Sequence, residues 1–198
     1  MTDHESTWDQ RLQIHTSGRD ETNADQYHHP YEPTPYAVLD RLAASGLIGS
    51  GDGLLDYGCG KGRVDFFLAY KCNANTIGIE YDERIYKIAV ENQKASASKA
   101  QFVLANAEKY EVPNNVNRCY FFNPFSVEIL HKVMARILDS YYREMREILL
   151  CFYYPSDEFM CYLMTLDELE FYDEIECGDL FDGNDPRERI MVFELPCY

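Results

Sequence analysis

A single α/β domain, built on a mostly parallel sheet of seven strands between helical layers, is what this sequence predicts. Short apolar runs at 53–57, 75–80, 101–105, 118–122 and 146–153 are interspersed with helical patterns at 62–70, 83–96 and 126–139, the mark of βαβ units on a parallel sheet. The first run passes straight into a glycine-rich turn, Asp56-Tyr57-Gly58-Cys59-Gly60-Lys61-Gly62. Glycines at that corner let the backbone turn sharply and approach a ligand at the carboxyl edge of a sheet. After a helical stretch at 156–164, runs at 168–176 and 189–194 joined by GDLFDGNDPRE read as a closing antiparallel pair.

Ahead of the sheet, residues 1–30 are polar and end in proline, with one apolar island from Trp8 to Ile14. They read as an N-terminal arm, partly ordered at best, preceding a domain over 31–198. Val38, Leu39, Leu42 and Ala43 recur at helical spacing behind a Thr34-Pro35 start and before Gly46, which predicts a short helix leading in.

Composition bounds the function. The 198 residues suffice for one full core, and 46% hydrophobic with 14% aromatic content excludes global disorder. Asp plus Glu outnumber Lys plus Arg by 34 to 18, a net charge of −16. That charge opposes the cationic phosphate contacts on which nucleic-acid affinity is built, so nucleic acid is disfavoured as a partner, and an anionic membrane surface more so. No run approaches the roughly 18 apolar residues of a membrane helix, and no basic start precedes an apolar run. The expected location is cytoplasmic. Seven cysteines without paired spacing read as reduced core thiols, with no metal site.

The glycine spacing is G-x-G-x-G, short of the G-x-G-x-x-G of dinucleotide sites, and Asp56 stands two positions before the first glycine. Glu80 ends the second strand in Thr76-Ile77-Gly78-Ile79-Glu80-Tyr81, where a carboxylate can accept both hydroxyls of a ribose.

This ordered pattern, covering about residues 31–155, resembles the class I S-adenosylmethionine-dependent methyltransferases. The resemblance implies a Rossmann-like three-layer sandwich, a seven-stranded mostly parallel sheet with an antiparallel last strand, and S-adenosyl-L-methionine as cofactor. It implies that Asp56, Gly58, Cys59, Gly60 and Gly62 surround the methionine end of that cofactor, that Glu80 and Tyr81 meet its ribose and adenine, and that Asn106 and Ala107 contact the adenine edge. Thr34, in Tyr31-Glu32-Pro33-Thr34-Pro35, is similar to a threonine that contacts the cofactor carboxylate in amino-directed members.

Cys119-Tyr120-Phe121-Phe122-Asn123-Pro124-Phe125-Ser126 is an apolar strand cut off by Asn-Pro. A strand here, fourth in order, lies beside the first at the reversal of strand order, so its end faces the ligand crevice. Asn123, Pro124 and Phe125 resemble the N-P-P-Y/F element of enzymes that methylate amino nitrogens, one proline short. The resemblance makes them the acceptor lip, with Asn123 also beside the cofactor. Proline fixes φ and adds no N–H to compete with an acceptor's own.

The expected activity is transfer of a methyl group by in-line displacement to a small-molecule or protein acceptor, nitrogen being one atom the lip admits. Two other uses of the scaffold stay open: a non-catalytic cofactor-binding or interaction module, and an aminopropyltransferase-like enzyme. The latter predicts an acid-rich loop after the fourth strand, where NPFS offers none.

Overall fold

The computed structural model describes residues 3–197. Its strands are β1 (Gly53–Tyr57), β2 (Asn75–Glu80), β3 (Gln101–Leu104), β4 (Arg118–Phe122), β5 (Ile148–Tyr153), β6 (Glu170–Glu176) and β7 (Arg189–Leu195), in the sheet order β3-β2-β1-β4-β5-β7-β6. β1 pairs in parallel with β2 and β4, while β7 runs antiparallel to both β5 and β6. One strand therefore opposes all the others, and the order reverses between β1 and β4, as the sequence predicts.

Neighbouring residues along each strand point to opposite faces, and both faces are buried. Leu54, Tyr120, Cys151 and Val192 join one core, and Leu55, Phe121, Leu150 and Phe193 the other. The first core is covered by α1 (Asp3–Leu12), α2 (Tyr36–Ala44) and α3 (Arg63–Cys72), and α4 (Glu83–Ser96) is tied to this layer by Asn92, which bonds the backbone of His15 and Lys61. The second is covered by α5 (Val127–Arg143), which buries Ile129, Leu130, Val133, Met134 and Ile137 at helical spacing, and by α6 (Asp157–Leu163). Cys59, Cys119, Cys151 and Cys177 are buried thiols, and no cysteine of the described residues is in a disulfide.

The N-terminal segment is built into the body. Helix α1 lays Trp8 against Tyr36 and edge-on to Phe67, and Leu12 and Ile14 are buried with it. Its Glu5 and Asp9 point inward to Arg63, the first residue of α3, which is 3% exposed. The Arg63 guanidinium bonds Glu5, donates to Thr16 Oγ1 at 2.7 Å and to the Thr34 carbonyl at 3.1 Å, and lies 4.3 Å from the Tyr36 ring centre. Asp9 completes the cluster by accepting from Tyr36 Oη at 2.6 Å and Thr16 Oγ1 at 2.7 Å. A polar stretch is thus buried because its charges are paired.

Removing one partner of such a cluster leaves uncompensated charge in the interior. Arg63→Met should lower the unfolding free energy by about 3–5 kcal/mol, measured by denaturant titration with circular dichroism. Trp8 is the single tryptophan, so its emission should shift red at lower denaturant than the loss of helix signal. Coincident transitions with a loss below about 1 kcal/mol would contradict this role for Arg63.

Candidate functional site

The β1 turn is held by its neighbour. Gly58 and Cys59 donate from their N–H groups to the Ile79 carbonyl at 2.9 and 3.0 Å, and Gly60 N–H donates to Glu80 Oε2 at 2.9 Å. Glu80 Oε1 accepts from the N–H groups of Tyr81 and Asp82, each at 2.8 Å. Glu80 therefore braces the turn from the end of β2. Gly60 has φ 57° and a side chain there would collide with the Tyr31 ring; Gly62 has φ 87° and its Cβ would stand 2.5 Å from Phe102. No L side chain fits these positions easily.

Beneath the turn lie two carboxyl groups. Asp56 is 2% exposed with Oδ2 unpartnered, and Asp65, on α3, is fully buried with neither oxygen bonded. Burial pushes the Asp56 carboxyl up to about 7, against the favourable effect of Asp65 and with the Glu80 charge adding to the rise, and burial together with the Asp56 charge pushes Asp65 well above the carboxylate range. Asp65 packs into the space left by Gly78, where a Cβ would sit 2.7 Å from its Oδ2.

A cavity of about 120 Å³ lies between the turn, the end of β2 and the start of α5. Thr34, Asp56, Gly58, Cys59, Glu80, Tyr81, Asn106, Ala107, Pro124 and Phe125 line it, bringing together most of the residues singled out from sequence. Gly60 and Gly62 support the wall from behind Tyr31 and Phe102. Asn123 lines a second, open cavity of about 610 Å³ on the other side of the lip. Asn106 spends its Oδ1 on the Glu108 N–H at 2.8 Å, capping a single 3-10 turn. Thr34 sits two residues before α2 without capping it; its Oγ1 is 3.1 Å from Tyr120 Oη.

Residues 20–34 run across the mouth of the first cavity. Tyr31 lies on Gly60 with Lys61 Nζ 4.7 Å from its ring centre, His28 stacks on Tyr81 at 4.7 Å, and Asn23 donates to Asp82 at 2.8 Å. His29 donates from N–H to the Pro124 carbonyl at 3.2 Å, and its Nδ1 is 2.7 Å from the Asn123 carbonyl oxygen. Ligand pockets usually measure about 300–1,000 Å³, so this strap closes the first cavity down. Arg63, Tyr31 and Asp65 were not singled out from sequence. Only the position of Arg63 directly after the third glycine offered a signal.

A family model described as a methyltransferase domain matches residues 54–149. No curated protein matches the chain significantly. Among solved structures, the chain is similar to a TehB-like SAM-dependent methyltransferase from Corynebacterium glutamicum, at 17% identity and TM-score 0.57, over 78% of this chain and 86% of that one. It is similar to an RNA methyltransferase from Salinibacter ruber in complex with S-adenosyl-L-homocysteine, at 17% identity and TM-score 0.56, over 83% and 94%. A dimethyladenosine transferase from Plasmodium falciparum is similar at 15% identity and TM-score 0.57, over 84% and 63%.

The buried carboxyls make stability depend on pH with a definite sign. A carboxyl whose folded pKa is raised holds its proton where the unfolded chain has lost it, so stability falls as pH rises from about 4 through about 7. Asp65→Asn removes one of the two groups. It should raise the melting temperature at about pH 8, with the gain shrinking toward about pH 5; a variant less stable than wild type at the higher pH would refute the coupling.

Proposed function

We propose, from the match of residues 54–149 to a methyltransferase-domain model and from the fold shared with solved methyltransferases, that the chain is a class I S-adenosylmethionine-dependent methyltransferase and moves a methyl group to a small-molecule acceptor at the lip formed by Asn123, Pro124 and Phe125. What supports the cofactor site is the buried carboxyl of Asp56, with Oδ2 unpartnered, directly under a glycine turn that excludes side chains. Such a group suits an ammonium, whose charge would stabilise the ionised form. S-adenosylmethionine supplies an electrophilic methyl on sulfur, and the protein's part is positioning.

The proposed roles follow the walls of the first cavity. Asp56 takes the ammonium, with Cys59 and the backbone at Gly58 and Gly60 enclosing the methionine end. Thr34 stands on the side of Arg63, where the methionine carboxylate is placed. Glu80 has three backbone donors on its two oxygens, and a carboxylate offers about four acceptor sites, so it retains capacity for a ribose hydroxyl. Tyr81 gives a flat face for adenine, now held by the His28 ring, and the Ala107 N–H serves the ring edge. Asn106 contributes through the turn it caps. The strap must lift for entry and then covers the occupied site, excluding water.

A small acceptor is favoured over RNA by the charge of −16, since a phosphate track needs cations. A protein side chain is the second reading. Among the described residues no helix is long and apolar enough to cross a membrane, and a cytoplasmic setting is part of the proposal.

S-adenosyl-L-homocysteine at about 100 times its dissociation constant should stabilise the protein by about 2.7 kcal/mol, seen as a raised melting temperature. Asp56→Asn should weaken that binding by about 1.5–3 kcal/mol, the worth of a hydrogen bond to a charged group. No shift in wild type at large excess would sink the cofactor assignment.

A further inference from the structure

The second cavity, about 610 Å³, adjoins the first, since His29, Pro30, Glu32 and Phe122 line both. Its walls are aromatic. Phe122, Tyr154 and Phe181, all half-buried, line it together with the buried Tyr153. The Phe122 and Tyr154 rings stand at 88° with centres 6.5 Å apart, and the Phe122 ring centre is 4.7 Å from that of Tyr153, so the rings form a corner and not a flat slot. The face of an aromatic ring carries negative potential and attracts a cation. Tyr154 already shows that attraction, because the Arg187 guanidinium lies 4.4 Å from its ring centre. Tyr153 Oη donates to Glu188 at 2.6 Å and Tyr154 Oη to Asp185 at 2.5 Å, and a phenol bonded to a carboxylate is polarised toward a more negative ring.

The charges around the cavity are unbalanced in the same direction. Glu32 and Glu188 line it, against one arginine, Arg19. That arginine is 2.9 Å from Glu21 and 3.9 Å from Glu32, while Arg187 is taken by Asp185 at 3.1 Å. Among the described residues the Glu188 carboxylate is bonded by the Tyr153 hydroxyl and by no cation. An aromatic corner beside an unmatched carboxylate repels anions and suits a cation. No group of three potential metal ligands forms among the described residues, so the cation that fits is organic.

We propose that this cavity holds the positively charged end of the methyl acceptor, a quaternary or alkyl ammonium group. Phe122, Tyr154 and Phe181 surround its alkyl groups, Glu188 and Glu32 balance its charge, and the acceptor's reacting atom reaches the first cavity across the shared wall. The bound cation takes no part in the bond change. The acceptor role rests on the methyltransferase reading above, whereas the cation site stands on the cavity alone.

The test titrates the full chain calorimetrically, with S-adenosyl-L-homocysteine present to fill the first cavity. The two probes are choline and its neutral isostere, in which a tert-butyl group replaces the trimethylammonium. Choline should bind at least about tenfold more tightly. Glu188→Gln keeps an oxygen to accept from Tyr153 and removes only the charge. It should weaken choline about threefold and leave the isostere unchanged, and Arg19→Gln should strengthen choline about twofold. A merely structural role for Glu188 would move both probes together. Equal affinities, no saturable heat with choline, or variants that act on both probes alike would overturn the cation site. With methyl-labelled S-adenosylmethionine and a cell extract, the labelled product should carry a positively charged group, and choline should slow its formation. Labelled products without such a group, or a rate that choline leaves unchanged, would overturn the acceptor role. Absence of any thermal shift with S-adenosyl-L-homocysteine would overturn the methyltransferase reading by itself, and the choline titration would still decide the cation site.

Discussion

The structure turns on one buried cation. Arg63 begins α3 immediately after the glycine turn, and its guanidinium gathers Glu5 and Thr16 from the N-terminal segment and the Thr34 carbonyl from the segment before α2. A buried guanidinium is tolerable only when its donors are satisfied. Meeting that demand fixes where residues 5–34 can run, and their path from Thr16 to Thr34 leads over the glycine turn. The strap over the first cavity is therefore a consequence of how α3 is anchored. Tyr31 donates to the Thr16 carbonyl while its ring seals Gly60, so opening the site disturbs contacts that lead directly to the anchor.

The sheet and its helices were legible in the sequence because each strand is short, apolar and followed by an unambiguous break. β1, β2 and β4 have the limits read from sequence, and the glycine turn and Glu80 stand at the strand ends expected of them. Helix α1 was not legible, for a definite reason. Its inward-facing acids, Glu5 and Asp9, look like solvent-facing charges unless the cation they meet is known, and that cation lies 58 residues from Glu5. The Asp56–Asp65 pair was hidden in the same way. Asp65 resembles a first-turn helix acid, and only the space beside Gly78 shows that it points inward.

The lip was half legible. Asn-Pro at the end of β4 marked a functional edge, but its division of labour needed three dimensions. Pro124 and Phe125 face the first cavity while Asn123 faces the second. Alternation alone does not give this, because Asn123 leaves the strand with φ 42°. The partner that fills its carbonyl, His29, is 94 residues away in sequence.

The same bend occurs on the neighbouring strand. β5 ends at Tyr153, Tyr154 has φ 53°, and Pro155 and the α6 cap Ser156 follow, with Ser156 Oγ accepting from the Phe159 N–H at 3.2 Å. β4 ends in the order Asn123, Pro124, Phe125, Ser126 before α5. A positive φ on a residue with a side chain costs about 1–3 kcal/mol and persists only where the surroundings over-determine it. Here each proline prevents the strand from continuing, and the helix behind it is packed into the second core. The connecting residue must take the strain, and in doing so it turns its side chain to the wall of the second cavity. Tyr154 is fixed there by its Oη, which donates to Asp185 at 2.5 Å and accepts from Arg187 at 2.6 Å. Asn123 has its backbone fixed by His29 and its amide oxygen free of any partner. Of two equivalent strained corners on adjacent strands, one is fully satisfied and serves as wall, and the other keeps an acceptor in reserve.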